Sequence, residues 1–274
     1  MANYVKISTI GASPFRADVA ADHQKTVEKV IEHWRMKVAQ VTPDRPDLIV
    51  VPECCDLPEG FGPKDSQAYY RVRKEQVRDF FSEAAAENNC YVAYAAVREM
   101  SDGSWRNSTS IIDRSGRIAG IYNKNHAMIE ETTQTGILCG KDAPIIECDF
   151  GRVACVICFD LNFQELRDRY AAAKPDVIVF CSAYHGGLAQ AWWAYACRAH
   201  FVAAIAGRPS QIRNPQGDVI ATSTNYHDFV TATVNLDCRL AHLDGNWQRL
   251  TELKKKYGRR VTIHDPGYLG SVLI

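Results

Sequence analysis

Short apolar runs alternate along the chain with longer segments in which apolar residues recur at helical spacing. The short runs are rich in β-branched residues and have the length of strands. They are Val5–Ile10, Leu48–Val51, Tyr91–Ala96, Val153–Cys158 and Val177–Cys181. Between the first two runs, residues 27–38 place apolar side chains three or four positions apart, as one face of a helix does. Strands that alternate with helices in this way predict an α/β fold.

Three stretches of the first half of the chain recur in the second half in the same order. The matched pairs are Pro46–Val51 with Pro175–Phe180, Asn89–Ala93 with His200–Ala204, and 112–118 with 213–219. An internal repeat of this kind predicts two structural units of related topology. We expect two sheets that pack face to face, with helices on the outside.

Length and charge restrict the class of protein. The 274 residues suffice for one large α/β domain, so we predict a single domain over 1–274 whose segment from about 238 is a tail or subunit contact. Acidic and basic residues number 32 each, so no net charge attracts nucleic acid or an anionic membrane. The sequence contains neither a signal peptide nor an apolar run of about 18 residues. We expect a cytoplasmic protein with small-molecule partners.

Cys155 and Cys158 form a C-x-x-C spacing inside an apolar run. A metal clip, a redox pair, or one nucleophile beside a bystander all fit this spacing. Strand residues three positions apart point to opposite faces, and no second ligand pair completes a zinc site, so we predict no metal. Capping residues and helical spacing over 160–173 predict that Cys158 lies at a strand end above a helix N-terminus. There the helix dipole would lower the pKa of the thiol.

Two charged residues also close apolar strands. Glu53 follows Leu48–Val51, where it is either a loop carboxylate or, near a thiol, a general base and then acid. Lys124 closes a strand that begins at Arg117, where it is either solvated or, near a thiolate, a group that stabilises that anion and an oxyanion. Neither residue is decisive alone, but with Cys158 the two supply a base, a cation and a nucleophile.

Together these segments resemble the carbon–nitrogen hydrolase family, also called the nitrilase superfamily. The resemblance rests on Val-Pro-Glu53, Tyr-x-Lys124-x-His and the stretch 151–166, and extends from Val5 to about Asp237. It implies a Glu53-Lys124-Cys158 triad on a four-layer αββα sandwich of two pseudo-symmetric halves. It further implies no cofactor, a homodimer or larger homo-oligomer, and an auxiliary glutamate between the lysine and the cysteine. Glu130 and Glu131 both fit that last position, and we favour Glu131.

The resemblance predicts a thiol-dependent hydrolase that converts an amide or N-carbamoyl substrate to a carboxylic acid plus ammonia or an amine. Phe159-Asp160 resembles the amidase and carbamoylase branch, since nitrile-cleaving members tend to have Trp-Glu after the cysteine. We expect Phe159, Tyr184 and His185 to contact the substrate, although a loop histidine without such a role also fits. Two alternative functions are nitrile hydrolysis and a non-catalytic binding or assembly role that retains the fold.

Overall fold

The computed structural model describes residues 2–266 and 270–274, and two six-stranded sheets dominate that part of the chain. The first sheet contains β1 (Tyr4–Ile10), β2 (Leu48–Val50), β3 (Tyr91–Glu99), β4 (Trp105–Ile112), β5 (Ile118–Asn123) and β12 (Phe229–Asn235). The second contains β6 (Ile146–Cys148), β7 (Gly151–Ile157), β8 (Val177–Ser182), β9 (His200–Ile205), β10 (Gln211–Arg213) and β11 (Val219–Thr222).

Both sheets have the same strand topology. In the first, β1, β2 and β3 are parallel, β4 and β5 continue antiparallel, and β12 borders β1 antiparallel. In the second, β7, β8 and β9 are parallel, β10 and β11 continue antiparallel, and β6 borders β7 antiparallel. The prediction of two pseudo-symmetric halves is therefore confirmed, and each matched stretch of the sequence repeat occupies the equivalent strand or turn.

The α-helices of the described residues are α1 (His23–Val41), α2 (Pro63–Arg73), α3 (Gln76–Glu87), α4 (Ile129–Thr135), α5 (Gln164–Ala173), α6 (Leu188–Cys197) and α7 (Trp247–Tyr257). The first three cover the outer face of the first sheet, and α5 and α6 cover that of the second. One hydrophobic cluster joins side chains from α1 to α3 with the first sheet. A second cluster joins both sheets with α5 and α6. The layers are thus helix, sheet, sheet and helix, which confirms the αββα sandwich.

Helix α1 shows how local sequence determines this packing. Its N-cap is Asp22, whose carboxylate accepts a hydrogen bond from the Lys25 backbone amide at 2.9 Å. Its buried side chains recur at helical spacing and include Trp34, which is 1 % exposed. The Trp34 indole nitrogen donates to the Cys55 carbonyl at 2.7 Å, so the helix also restrains the loop that follows β2.

The segment after residue 238 forms the antiparallel pair β13 (Leu240–His242) and β14 (Ser271–Leu273), with α7 between them. No residue of α7 is buried. A role for this segment as a tail or subunit contact stays a prediction. Across residues 2–266 and 270–274, no helix is both long and apolar enough to cross a membrane.

Candidate active site

Glu53 lies in the loop after β2. Its side chain is 8 % exposed. Beneath the loop, the buried carboxylate of Asp56 accepts hydrogen bonds from Arg73 and from the Tyr94 hydroxyl. Arg73 also donates to the Val97 carbonyl at 2.6 Å, which anchors the loop to the end of β3. This buried ion pair holds the backbone that carries Glu53.

Lys124 lies just after β5 and is 2 % exposed. Its backbone amide donates to the Asn107 carbonyl at 2.8 Å, and its carbonyl accepts from Gly140 at 2.7 Å. Only glycine fits at 140, because a Cβ there would lie 2.3 Å from the Asn123 carbonyl oxygen. The ammonium donates to Glu53 Oε1 and to Glu131 Oε2, both at 2.8 Å.

Of the two candidate auxiliary glutamates, the structure places Glu131 at the lysine and leaves Glu130 exposed. Glu131 Oε2 also accepts the Met128 backbone amide at 2.8 Å, which fixes the carboxylate at the first turn of α4. Burial alone would raise the pKa of Glu131, but the charge of Lys124 and these hydrogen bonds lower it overall.

Asn107 links the two carboxylates and was not anticipated from the sequence. Its side-chain amide donates to Glu53 Oε1 at 2.8 Å and to Glu131 Oε1 at 3.0 Å. The signal available in the sequence is the polar run Asn107–Ser110 in a strand, and all four of these residues are buried. The cluster thus consists of one cation, two carboxylates and a fixed amide donor.

Cys158 lies just beyond β7, in the second half of the chain, and is 8 % exposed. Its backbone has φ of +47°, which is unusual for a residue other than glycine, so the chain turns sharply at the thiol. Glu53 and Ser182, the latter at the end of β8, both lie close enough to the thiol to act on its pKa. Cys155 instead lies inside the core, fully buried.

Two expectations for Cys158 were wrong. Cys158 begins a short 3₁₀ helix, Cys158–Asn162, and the α-helix starts only at Gln164, without a side-chain cap. The pKa of the thiol is not lowered but raised to about 12, chiefly by burial and then by the adjacent Glu53 charge, against the opposing effect of Lys124. The thiol is therefore neutral at rest, with the Glu53 carboxylate near it.

At Lys124 the neighbouring charges, and not burial, determine the direction of the pKa shift. Burial alone would lower the pKa of the ammonium, but Glu53 and then Glu131 raise it well above its ordinary value. The lysine therefore stays charged throughout the pH range in which proteins are folded. A charged lysine that contacts two carboxylates is a poor nucleophile and a strong hydrogen-bond donor.

The three predicted substrate contacts lie in the segments that follow β7 and β8. Phe159 follows Cys158, is 37 % exposed and packs edge-to-face on Phe163. Burial and then the charge of Cys158 raise the pKa of Tyr184, which places this phenol within electrostatic range of the sulfur. The pKa of His185 is lowered by burial and then by the charges of Arg213 and Arg208. Within the described ranges, no group of three or more His, Cys, Asp or Glu side chains could hold a metal ion.

Comparisons with known proteins identify the family to which the chain belongs. Residues 6–206 match the family model described as carbon-nitrogen hydrolase. The chain is 22 % identical over 217 residues to omega-amidase NIT2 of Danio rerio, a match that covers 69 % of this chain and 76 % of that protein.

Among solved structures, Nit3 of Saccharomyces cerevisiae, a member of branch 10 of the nitrilase superfamily, superposes with a TM-score of 0.71. That match has 18 % identity and covers 94 % of this chain and 97 % of Nit3. A variant of the amidase from Nesterenkonia sp. AN1, with the acetamide moiety of fluoroacetamide covalently added at its active-site cysteine, also gives a TM-score of 0.71. The identity is 14 %, and the match covers 92 % of this chain and 96 % of the amidase. This chain therefore belongs to the carbon-nitrogen hydrolase family and is an amidohydrolase enzyme.

Proposed function

We propose that the protein hydrolyses small amides or N-carbamoyl compounds, with Cys158 as nucleophile, Glu53 as base and Lys124 as oxyanion donor. The observation that carries the proposal is the placement of the Glu53 carboxylate, close enough to the buried Cys158 thiol to raise its pKa, with Glu53 Oε1 also accepting from Lys124 at 2.8 Å. A thiol with a raised pKa needs a base in contact with it, and Glu53 is in that position.

In the first step, Glu53 takes the proton from Cys158 while the sulfur attacks the substrate carbonyl carbon. The carbonyl oxygen becomes an oxyanion, which receives hydrogen bonds from the Lys124 ammonium and from the backbone amide of Phe159. The C–N bond then breaks, Glu53 returns its proton to the departing nitrogen, and a thioester on Cys158 remains. Ammonia or an amine leaves.

In the second step, Glu53 takes a proton from water, and the hydroxide equivalent attacks the thioester carbonyl. Collapse of that intermediate releases the carboxylic acid and returns the proton to the Cys158 sulfur, which restores the resting pair. Glu131 and Asn107 take no proton in this scheme. Their contacts fix Lys124 and Glu53 so that the cation lies where negative charge develops.

Amide substrates are supported by two observations outside the triad. Phe159-Asp160 follows the cysteine where nitrile-cleaving members of the family tend to have Trp-Glu. The relative from Danio rerio is an omega-amidase, and the Nesterenkonia enzyme is an amidase. Phe159, Tyr184 and His185 are the side chains that we assign to substrate contact.

A screen of small amides, N-carbamoyl compounds and nitriles with ammonia detection tests the reaction class. Intact-mass spectrometry during turnover should show an acyl adduct that maps to Cys158 and is missing in Cys158→Ala. An adduct on Lys124, or turnover retained by Cys158→Ala, would refute the mechanism. Ammonia release from nitriles but not from amides would refute the substrate class.

A further inference from the structure

A buried carboxylate beside the catalytic cluster has no role in the mechanism above. Asp160 is fully buried and lies two residues after Cys158. Its Oδ2 accepts from the Tyr122 hydroxyl at 2.7 Å and from the Ile157 backbone amide at 3.2 Å. Its Oδ1 accepts both the backbone amide of His126, at 2.8 Å, and the ring Nδ1 of His126, at 2.9 Å. Four contacts thus converge on one carboxylate.

His126 occupies the matching position on the other side, two residues after Lys124. Its ring lies parallel to that of Phe163, with 3.6 Å between ring centroids. Its Nε2 lies 3.1 Å from Glu165 Oε1 at the start of α5. Both ring nitrogens therefore face a carboxylate oxygen. Only the imidazolium form has two N–H groups, so only that form donates to both carboxylates.

The pair bridges the two halves of the candidate active site. Asp160 receives the amide of Ile157, immediately before Cys158, and thereby restrains the turn in which Cys158 has φ of +47°. A non-glycine residue in that conformation is strained and persists only where its surroundings fix it. Through His126, the same carboxylate restrains the segment that carries Lys124.

We propose that His126 and Asp160 are a positioning pair that sets the Cys158 sulfur relative to Lys124, and that the pair acts with His126 as imidazolium. The proposal rests on the proposed function of Cys158 and Lys124. It does not make His126 an acid or base, because the carboxylates of Asp160 and Glu165 occupy both ring nitrogens.

The proposal predicts the direction of a pH effect. The charged groups that face the ring are Asp160 from the turn after Cys158 and Glu165 from α5, and Tyr122 from β5 shares the Asp160 carboxylate. The hydrogen bond with Asp160 raises the pKa of His126 above its ordinary 6.5, with burial as the opposing effect. As pH rises through that raised value, the ring loses one N–H, and one carboxylate then faces a lone pair. The Cys158 sulfur is then held less firmly relative to Lys124, so kcat falls as pH rises above that value.

The test compares pH profiles of kcat and KM for the wild type, His126→Asn and His126→Phe on one amide. The wild type should show an alkaline limb with an apparent pKa above 6.5 and well below the value of about 12 for Cys158. Asn keeps a donor for Asp160 but does not titrate, so it should retain most of kcat without that limb. Phe keeps the stacking on Phe163 but lacks the donor, so kcat should fall up to about 100-fold with little change in KM.

Two controls separate positioning from general damage. His242 is exposed in β13, outside the site, and His242→Phe should leave the profile unchanged. NMR titration of the His126 ring measures the imidazolium directly and needs no substrate, and Glu165→Gln should lower the pKa found there.

An alkaline limb that persists in His126→Phe, or a His126→Phe enzyme that is folded and fully active, would overturn the positioning proposal. A wild type that shows no amide hydrolysis would instead overturn the proposed function. The NMR titration still reports on the His126 pair in that case, and a ring pKa at or below 6.5 would refute it independently.

Discussion

Replacement of Glu131 by glutamine isolates the contribution of the second carboxylate at Lys124. Glutamine has nearly the same shape, so the change removes charge while it preserves packing. One oxygen of Glu131 accepts from Lys124 and from Met128, and the other accepts from Asn107. A glutamine amide supplies only one acceptor oxygen, so its NH₂ group faces a donor at one of these contacts.

The magnitude follows from the hydrogen bond between Glu131 and Lys124. A hydrogen bond to a charged group contributes about 1.5–3 kcal/mol. Without this bond Lys124 is less firmly held. A loss of about 2 kcal/mol of transition-state stabilisation corresponds to a roughly 30-fold decrease in kcat. We expect Glu131→Gln to lower kcat by about 10- to 100-fold. We also expect unfolding free energy to fall by about 1–3 kcal/mol.

Glu130→Gln is the matched control, because it makes the same chemical change one position earlier on α4. Glu130 is exposed and makes no hydrogen bond or ion pair with any described residue. Its replacement should change stability by less than about 0.5 kcal/mol and leave kcat unchanged. Ammonia release gives kcat, and urea denaturation gives the free energy. Equal losses in the two variants would refute the assignment of Glu131 as the residue that holds Lys124.

The stability difference between wild type and Glu131→Gln should also depend on pH in a defined direction. The pKa of Glu131 is lowered in the folded protein, so its stabilising effect is present above the ordinary glutamate value of 4.5. That effect is lost as pH falls through the folded pKa. The stability difference between wild type and Glu131→Gln should therefore shrink below pH 4.5, whereas a difference that stays constant with pH would contradict the charge argument.

Four further predictions follow from the site. Cys158→Ala should abolish turnover while Cys155→Ser retains most of it, and equal loss in two folded variants would contradict the assignment of the nucleophile. Lys124→Met leaves two buried carboxylates without their cation, so kcat should fall about 100- to 1000-fold and urea denaturation should show a loss of about 3–5 kcal/mol. Alkylation of Cys158 by iodoacetamide should keep accelerating as pH passes 9.0, the ordinary thiol value, because its pKa is about 12; a plateau near neutral pH would indicate a resting thiolate. Exhaustive chelation should leave hydrolysis unchanged, and stoichiometric zinc or iron by elemental analysis would contradict that expectation.

The strands and the triad could be predicted because their signals are local. A buried strand such as β8 is a short apolar run, and Glu53, Lys124 and Cys158 each follow a strand where a polar residue is conspicuous. Parallel strands of related halves bring such ends together at one edge. Their positions made each of the three a candidate, and the resemblance to the carbon–nitrogen hydrolase family grouped them as an expected triad.

The other features of the candidate site depend on contacts between residues far apart in the sequence, which hydrophobic periodicity does not show. Asn107 and Ser182 are ordinary polar strand residues in the sequence, and only the pairing of distant strands within each sheet brings Asn107 to Glu53 and Ser182 to Cys158. The direction of the Cys158 pKa was wrong for the same reason. The sequence suggests a helix start directly after Cys158, which would favour the thiolate, but α5 begins only at Gln164, and burial and the charge of Glu53 raise the pKa.

In the proposed mechanism, hydrolysis requires the two halves of the chain to associate, because each half supplies part of the cluster. Glu53, Asn107, Lys124 and Glu131 all precede the second sheet, whereas Cys158 and Ser182 belong to it. In the proposed mechanism each half alone should be inert, because one has a base without a nucleophile and the other has a thiol with a high pKa and no base. A protein nicked between α4 and β6 should regain hydrolysis only on fragment complementation. Its activity would then report directly on the docking of one half against the other.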